Sequence, residues 1–347
     1  MARAVVRTAL RRSLDQVRHV RVARPGAVTG LVAEVFAQME RDFGMLAPPV
    51  ALHSPAPRVL AASWVMLRET LLAGGRADRA AKEAVAAAVS LGNSCPYCVE
   101  VHGATLGGLV RSPDSAAIAE GRIEEVADAR LRALAEWARA GAARREAGTP
   151  LTEAQRSEFV GVAATFHYLN RMVNVFLPDS PLPRGTPGSA RPGVRRLLGW
   201  LTRPGRGRDP EPGRSLALLP AAPPAAEPSW ARAAPHVAGA VARASAAVDA
   251  AGERSVPPAV RALLARRLAD WDGRPPGLSR AWVEEAVAGL AADERPAGRL
   301  ALLTALASYQ VDQGVVDAFR ARGPGDRELV ELTSWASLAA ALRVVGE

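Results

Sequence analysis

Cysteine is nearly absent from this sequence, with only Cys95 and Cys98 in 347 residues. A secreted disulfide scaffold needs several bridges distributed along a short chain, so one pair separated by two residues excludes it. Lysine is scarcer still. Lys82 is the only one, and the formal charge of +9 is carried by arginines spread along the whole length. Nucleic-acid binders gather such charge on one element beside a reading motif. No zinc-finger spacing, recognition helix or aromatic-rich basic strand accompanies it here, so the arginines read as solvated and no nucleic-acid partner is expected. No segment reaches the roughly 18 apolar residues of a membrane span. Met1 to Arg24 intersperses arginine with valine, leucine and alanine, without the continuous apolar stretch of a secretory signal. It reads as a basic amphipathic helix, and a cytoplasmic location is expected. Aromatics make up only 5%, and the apolar weight falls on alanine, leucine and valine, which favours closely packed helices over sheets.

Helical periodicity is strong in the first half. Val59, Leu60, Trp64, Leu67 and Leu71 recur at three- and four-residue steps, predicting one helix from Pro57 to Leu72 with Gly74-Gly75 as its stop. A second helix is predicted from about Ala77 to Leu91, ended by Gly92-Asn93. Ser94 is then the expected N-cap of a third, with Pro96 in its first turn. Further helices fit Glu124 to Ala140 and Thr152 to Leu177. From Pro178 to Pro228 proline, glycine and arginine dominate and periodicity is lost, as in a flexible linker. One apolar island, Val194 to Leu201, interrupts it and could form a short helix.

Helical patterning returns after Trp230 and echoes the first half. Pro25-Gly26-Ala27-Val28 is matched by Pro235-His236-Val237-Ala238, Pro48-Pro49 by Pro257-Pro258, and Leu134-Ala135-Glu136-Trp137-Ala138 by Leu332-Thr333-Ser334-Trp335-Ala336. Three matches in order suggest an internal duplication. The expected organisation is therefore an N-terminal basic helix (1–24), a first helical domain (25–177), a linker (178–228) and a second copy (229–347). Pairing Ser90 with Ser308 sets Ala301 opposite Glu83, Gln313 opposite Cys95, Val316 opposite Cys98 and Arg320 opposite His102. The second copy carries none of those chemical groups and is expected to be a structural partner.

The chemistry is concentrated between Lys82 and His102. A Cys-x-x-Cys at a helix start puts two sulfurs within disulfide reach, and the first lies where free amides and the helix dipole favour a thiolate. His102, four residues after Cys98, stands on the same helix face one turn along and can take or return a thiol proton. Glu83 belongs to the preceding helix, and an antiparallel turn at Gly92-Asn93 can bring its carboxylate beside the pair as the far end of a proton relay. Structural zinc would require a second ligand pair, which His19, His53, His167 and His236 do not supply by spacing. A thioredoxin-like site would require alternating strands. Two inert buried cysteines are the plain alternative, and the histidine and glutamate weigh against it. His167, Tyr168, Asn170 and Arg171 form a polar cluster in an apolar helix, read as an inter-helix contact before a pocket edge. Trp64 and Trp137 read as core.

Glu83, eleven residues, Cys95, two residues, Cys98, three residues, His102 resembles the AhpD-like (alkyl hydroperoxidase D) motif of the carboxymuconolactone decarboxylase superfamily. The context Lys82-Glu83-Ala84-Val85 and Ser90-Leu91-Gly92-Asn93-Ser94-Cys95-Pro96-Tyr97-Cys98 resembles its two-domain members. The resemblance covers Pro57 to Leu177 well, the C-terminal copy weakly and the linker not at all. It implies an all-α fold and a peroxidase or peroxiredoxin-type activity without a cofactor or metal. In that activity Cys98 attacks a hydroperoxide, Cys95 resolves the sulfenic acid as a disulfide, and Glu83 and His102 move protons. It also implies an external dithiol reductant, a lipoyl-bearing protein being the family's suggestion, and a possible homo-oligomer. Well-known members carry a histidine directly before the second cysteine, where this chain has Tyr97. Cysteine-free decarboxylation or lactone chemistry, and a non-catalytic helical assembly protein, are the competing readings.

Overall fold

The computed structural model describes residues 12–110, 112–141, 151–182, 186–187, 189, 193, 196–197, 199, 209–223 and 226–346; among them every regular element is helical. The first half comprises α1 (Gly30–Asp42), α2 (Pro48–Ala51), α3 (Pro57–Leu67), α4 (Arg79–Gly92), α5 (Pro96–Leu109), α6 (Asp114–Ala119), α7 (Ala129–Arg139) and α8 (Glu153–Phe176). The second comprises α9 (Pro235–Ser255), α10 (Pro258–Ala269), α11 (Ala281–Val287), α12 (Arg295–Leu306), α13 (Gln313–Arg320) and α14 (Asp326–Val345). The starts follow local chemistry. Asp78 caps α4 by accepting from the Ala81 amide, and Thr152 opens α8 with a capping box completed by Gln155.

Three boundaries differ from the sequence reading. The helix expected over Pro57–Leu72 tightens no further than Leu67 and finishes as a π-helical turn, Arg68–Leu72, whose five residues are all buried. The helix expected from Glu124 is split into a 3-10 turn (Ile123–Glu125) and α7, because the Asp114 carboxylate takes the Ala127 and Asp128 amides and Asp128 caps α7. The third helix begins at Pro96 with Cys95 as its N-cap. Ser94, expected in that role, instead takes a left-handed conformation (φ 51°) that turns the chain between α4 and α5. Of the basic N-terminal segment, 1–11 lie outside the described residues, and Arg12–Gln16 forms a 3-10 turn. Most of the Val194–Leu201 island also lies outside them.

Residues of both halves enter one apolar core. α14 runs along α8, and α9 along α3. Met172 on α8 receives the Ser337 hydroxyl of α14 at its sulfur (3.4 Å). Arg171, buried on the same helix, donates to the Ala305 carbonyl at the end of α12 (2.8 Å) and sits 5.7 Å from the Trp271 ring centroid. Burial lowers its pKa to about 10, and carbonyls and a ring face stand in for the water it loses. Trp64 and Trp137 are both in the core, as read.

Part of the expected flexible linker is packed. Glu69, in the π-turn, is fully buried and pairs with Arg68 (2.6 Å), which in turn meets Asp42 (2.6 Å). The remaining lone pairs of Glu69 are met by the Gly213 amide (2.6 Å), the Ser215 amide (3.1 Å) and the Ser215 hydroxyl (2.5 Å). A buried carboxylate needs donors, and the unpaired amides of an irregular segment are available to supply them. Composition records only the irregularity.

His53 illustrates what the core does to a titratable group. Its Nδ1–H donates to the Val50 carbonyl (3.0 Å), which leaves Nε2 to accept from the Tyr168 hydroxyl (2.9 Å). Burial drives its pKa down to about 4, against the small opposing effect of the Val50 bond. Between pH 6.5 and about 4 the unfolded chain therefore binds a proton that the native chain refuses, so stability falls as pH falls. At one proton the slope is about 1.4 kcal/mol per pH unit, or about 3 kcal/mol over the window. Urea unfolding from pH 7 to 4 should lose that amount in the wild type and less in His53→Gln. Parallel curves would show that His53 titrates normally.

Candidate active site

Helices α4 and α5 are antiparallel neighbours joined by the Asn93-Ser94 turn, and that turn assembles the four residues picked out by spacing. Glu83 lies on α4, Cys95 caps α5, and Cys98 and His102 follow on α5 one turn apart. All four are buried, Glu83 completely. The His102 Nδ1–H donates to Glu83 Oε2 at 2.6 Å, so the remaining ring nitrogen, Nε2, is the one that can exchange a proton. The ring packs edge-on against Phe166, centroids 4.5 Å apart, which limits its rotation.

Arg79 was not singled out from the sequence. One turn before Glu83, it donates from Nε to Glu83 Oε1 (2.8 Å), with Nη2 at 2.6 Å. Burial alone would raise the Glu83 pKa, but Arg79 and then His102 outweigh it and hold the carboxyl below its ordinary value. Glu83 is thus an anion near neutrality that fixes the imidazole. The Arg79–Glu83 spacing of four on a helix was the available signal.

The thiols of Cys95 and Cys98 lie beside one another at the start of α5. Burial, then the adjoining Cys98 sulfur, raises the Cys95 pKa well above its ordinary value. The dipole argument favoured a Cys95 thiolate; at the N-cap position, burial overrides it. Tyr97 is buried beside the pair, and its hydroxyl is likewise raised by burial and the two sulfurs.

A polar chain leads from the pair into α8. Asn170 donates to the Ser90 hydroxyl (3.0 Å) and accepts from Asn93 Nδ2 (2.8 Å), while His167 Nδ1 lies 3.1 Å from Asn93 Oδ1. Asn174 reaches the Asn93 carbonyl (3.3 Å) and the Ser308 hydroxyl of the second half (3.0 Å). The cluster read as an inter-helix contact is one, and it also holds the turn that carries Cys95. In the second half, Ala301 and Val316 are buried apolar positions, Gln313 donates to Asp317 (2.7 Å), and Arg320 pairs with Asp326 (2.5 Å).

A cavity of about 1030 Å³ opens beside Cys95, bounded by the end of α4, one face of α5 and α6. Among the described residues no group of three His, Cys, Asp or Glu side chains is placed to hold a metal ion, and no helix is long and apolar enough to cross a membrane.

No family model matches the sequence. The chain is 35% identical over 328 residues to an alkyl hydroperoxide reductase of Mycobacterium tuberculosis, an alignment covering 94% of either chain. Among solved structures, an alkylhydroperoxidase AhpD core, that of an uncharacterized peroxidase-related protein from Ralstonia eutropha JMP134, aligns with a TM-score of 0.41 at 19% identity, covering 55% of this chain and 98% of that one. With a third of its residues shared along nearly the full length of the mycobacterial protein, the chain belongs to the AhpD-like alkyl hydroperoxidase family.

Proposed function

We propose that the protein is a thiol-dependent alkyl hydroperoxide reductase in which Cys98 is the peroxidatic thiol and Cys95 the resolving one. The observation that carries this reading is the buried Glu83–His102 pair at 2.6 Å, one helical turn beyond Cys98 and clamped by Arg79. His102 Nε2 takes the Cys98 proton. The thiolate attacks the terminal oxygen of the hydroperoxide, an S–O bond forms as the O–O bond breaks, and the alkoxide leaves as an alcohol with the proton returned by His102. Cys98, oxidised by two electrons to the sulfenic acid, is then attacked by Cys95. The S–S bond forms, the S–O bond breaks, and hydroxide departs as water with the Cys95 proton. The raised Cys95 pKa suits this order, since a group kept as a thiol can donate its hydrogen to the Cys98 sulfur until it is needed. An external dithiol, a lipoyl-bearing protein by family resemblance, returns two electrons and two protons through thiol–disulfide exchange.

Glu83→Gln keeps the shape of the side chain and removes the charge that orients and supports the imidazolium. The rate of Cys98 oxidation should fall about a hundred-fold, with the protein still folded by circular dichroism. Because the Glu83 pKa is depressed in the native state, the stability it contributes is present above its unfolded pKa and is lost as pH falls through the folded one. The acid limb of the wild-type unfolding profile should therefore flatten in the variant. Unchanged oxidation kinetics would remove Glu83 from the relay.

A further inference from the structure

Asn170 is fully buried on α8, next to the Cys95 thiol. Which way its amide faces follows from one hydroxyl. Ser90 spends its hydroxyl hydrogen on the Ala86 carbonyl (2.7 Å), so its oxygen is left to accept, and Asn170 must present Nδ2 to it (3.0 Å). Asn170 Oδ1 then faces Asn93, whose facing atom must be the donor Nδ2 (2.8 Å). That leaves Asn93 Oδ1 toward His167, whose Nδ1 must carry the hydrogen (3.1 Å). Every donor in the row points the same way, from His167 through Asn93 to Asn170, and each bond polarises the next. Asn170 has two Nδ2 hydrogens, and Ser90 takes one. The other needs an acceptor in a fully buried site, and the Cys95 sulfur is its neighbour. Ser90 anchors both residues, because its carbonyl accepts from the Cys95 backbone amide (3.0 Å). Burial and then the Cys98 sulfur raise the Cys95 pKa; the Cys98 amide and the Asn170 side chain act in the opposite sense.

We infer that Asn170 is a catalytic residue of the resolving step, its second Nδ2 hydrogen being donated to the Cys95 sulfur as negative charge gathers there. The inference rests on the peroxidase reading above and gives the second sulfur a stabilising group of its own, separate from the Glu83–His102 pair that serves Cys98. In that step the Cys95 proton passes to the departing hydroxide, the S–S bond forms, the Cys98 S–O bond breaks and water leaves. A donor aimed in advance at the atom where charge develops costs no reorganisation during the reaction. Toward the neutral thiol its bond is weak, and toward the incipient thiolate it is charge-assisted. The stabilisation therefore falls on the transition state more than on the resting enzyme.

The test mixes the reduced full-length protein with one equivalent of tert-butyl hydroperoxide, stops the reaction at intervals with acid and follows the thiol, sulfenic and disulfide forms by mass spectrometry. Asn170→Ala should oxidise Cys98 at the wild-type rate and close the disulfide about tenfold more slowly, as loss of a hydrogen bond to a charged group implies, so that the sulfenic acid accumulates. A second arm needs no peroxide. In Cys98→Ser the only thiol is Cys95, and its alkylation by iodoacetamide at fixed pH reads the thiolate. Adding Asn170→Ala opens space around the sulfur, so a purely structural role would speed alkylation. Loss of the donor slows it, about threefold once the greater nucleophilicity of a more basic thiolate is allowed for. Asn93→Ala, a change at a half-buried side chain, should move both readouts the same way by less, and decides the matter if Asn170→Ala does not fold. Disulfide closure at the wild-type rate, or faster alkylation, in a folded variant would overturn the inference and leave the peroxidase reading standing. Wild-type thiols that the hydroperoxide does not oxidise would sink both.

Discussion

Cys98→Ser should reduce peroxide consumption to the uncatalysed background, whereas Cys95→Ser should still react once and stop as a sulfenic acid that a dimedone-type probe captures. The expectation comes from the proposed division of labour between two neighbouring thiols. His102 stands one turn after Cys98, so the base that can generate a thiolate is on that residue's helix face. Cys95 sits at the N-cap, borders the cavity and is held as a thiol by burial and by the Cys98 sulfur. A thiol kept protonated is a poor first nucleophile; in the second step it attacks as its proton passes to the departing hydroxide, which leaves as water. Mass spectrometry of each variant after one equivalent of hydroperoxide separates the cases. A trapped adduct on Cys95 in Cys98→Ser, with an inert Cys95→Ser, would exchange the two roles.

A fragment ending at residue 180 should lose most of its stability, and with it the activity. We propose that the second half persists because it completes the core of the half that carries the cysteines. In the full chain α14 covers α8 and α9 covers α3. The fragment would uncover Met172 of α8 and strip Tyr168 and Arg171 of their partners Ser334 and Ala305. Arg171 would keep its bond to the His167 carbonyl while losing the Ala305 carbonyl and the Trp271 ring face. Loss of several buried apolar side chains at about 1.5–3 kcal/mol each is comparable with the whole unfolding free energy of a domain, about 5–15 kcal/mol. Aggregation, self-association or a much lowered melting temperature is therefore expected on light scattering and calorimetry. A monomeric fragment that melts like the full chain would show the second half to be dispensable.

The helical class, the positions of α3, α4, α5 and α8 to within a few residues, and the group Glu83, Cys95, Cys98 and His102 were legible in the sequence. Helix periodicity and cap chemistry act over three or four residues, and a spacing such as Cys98 to His102 fixes geometry by itself when both lie on one helix. Other features depend on atoms far apart in the chain and leave no local mark. The clamp of Arg79 on Glu83 is local and could have been found by its spacing; the packing of Gly213 and Ser215 onto Glu69, 144 and 146 residues away, could not. Nor could the raised thiol of Cys95, where burial prevails over the helix dipole, or the depressed imidazole of His53, because desolvation is set by whatever elements close over a group. The sequence by itself determined which residues could do thiol chemistry and that helices would carry them. Only the tertiary structure decided which of them are shut away from water, which is held by what, and where the cavity opens, since each of these is a property of neighbours that the chain order keeps apart.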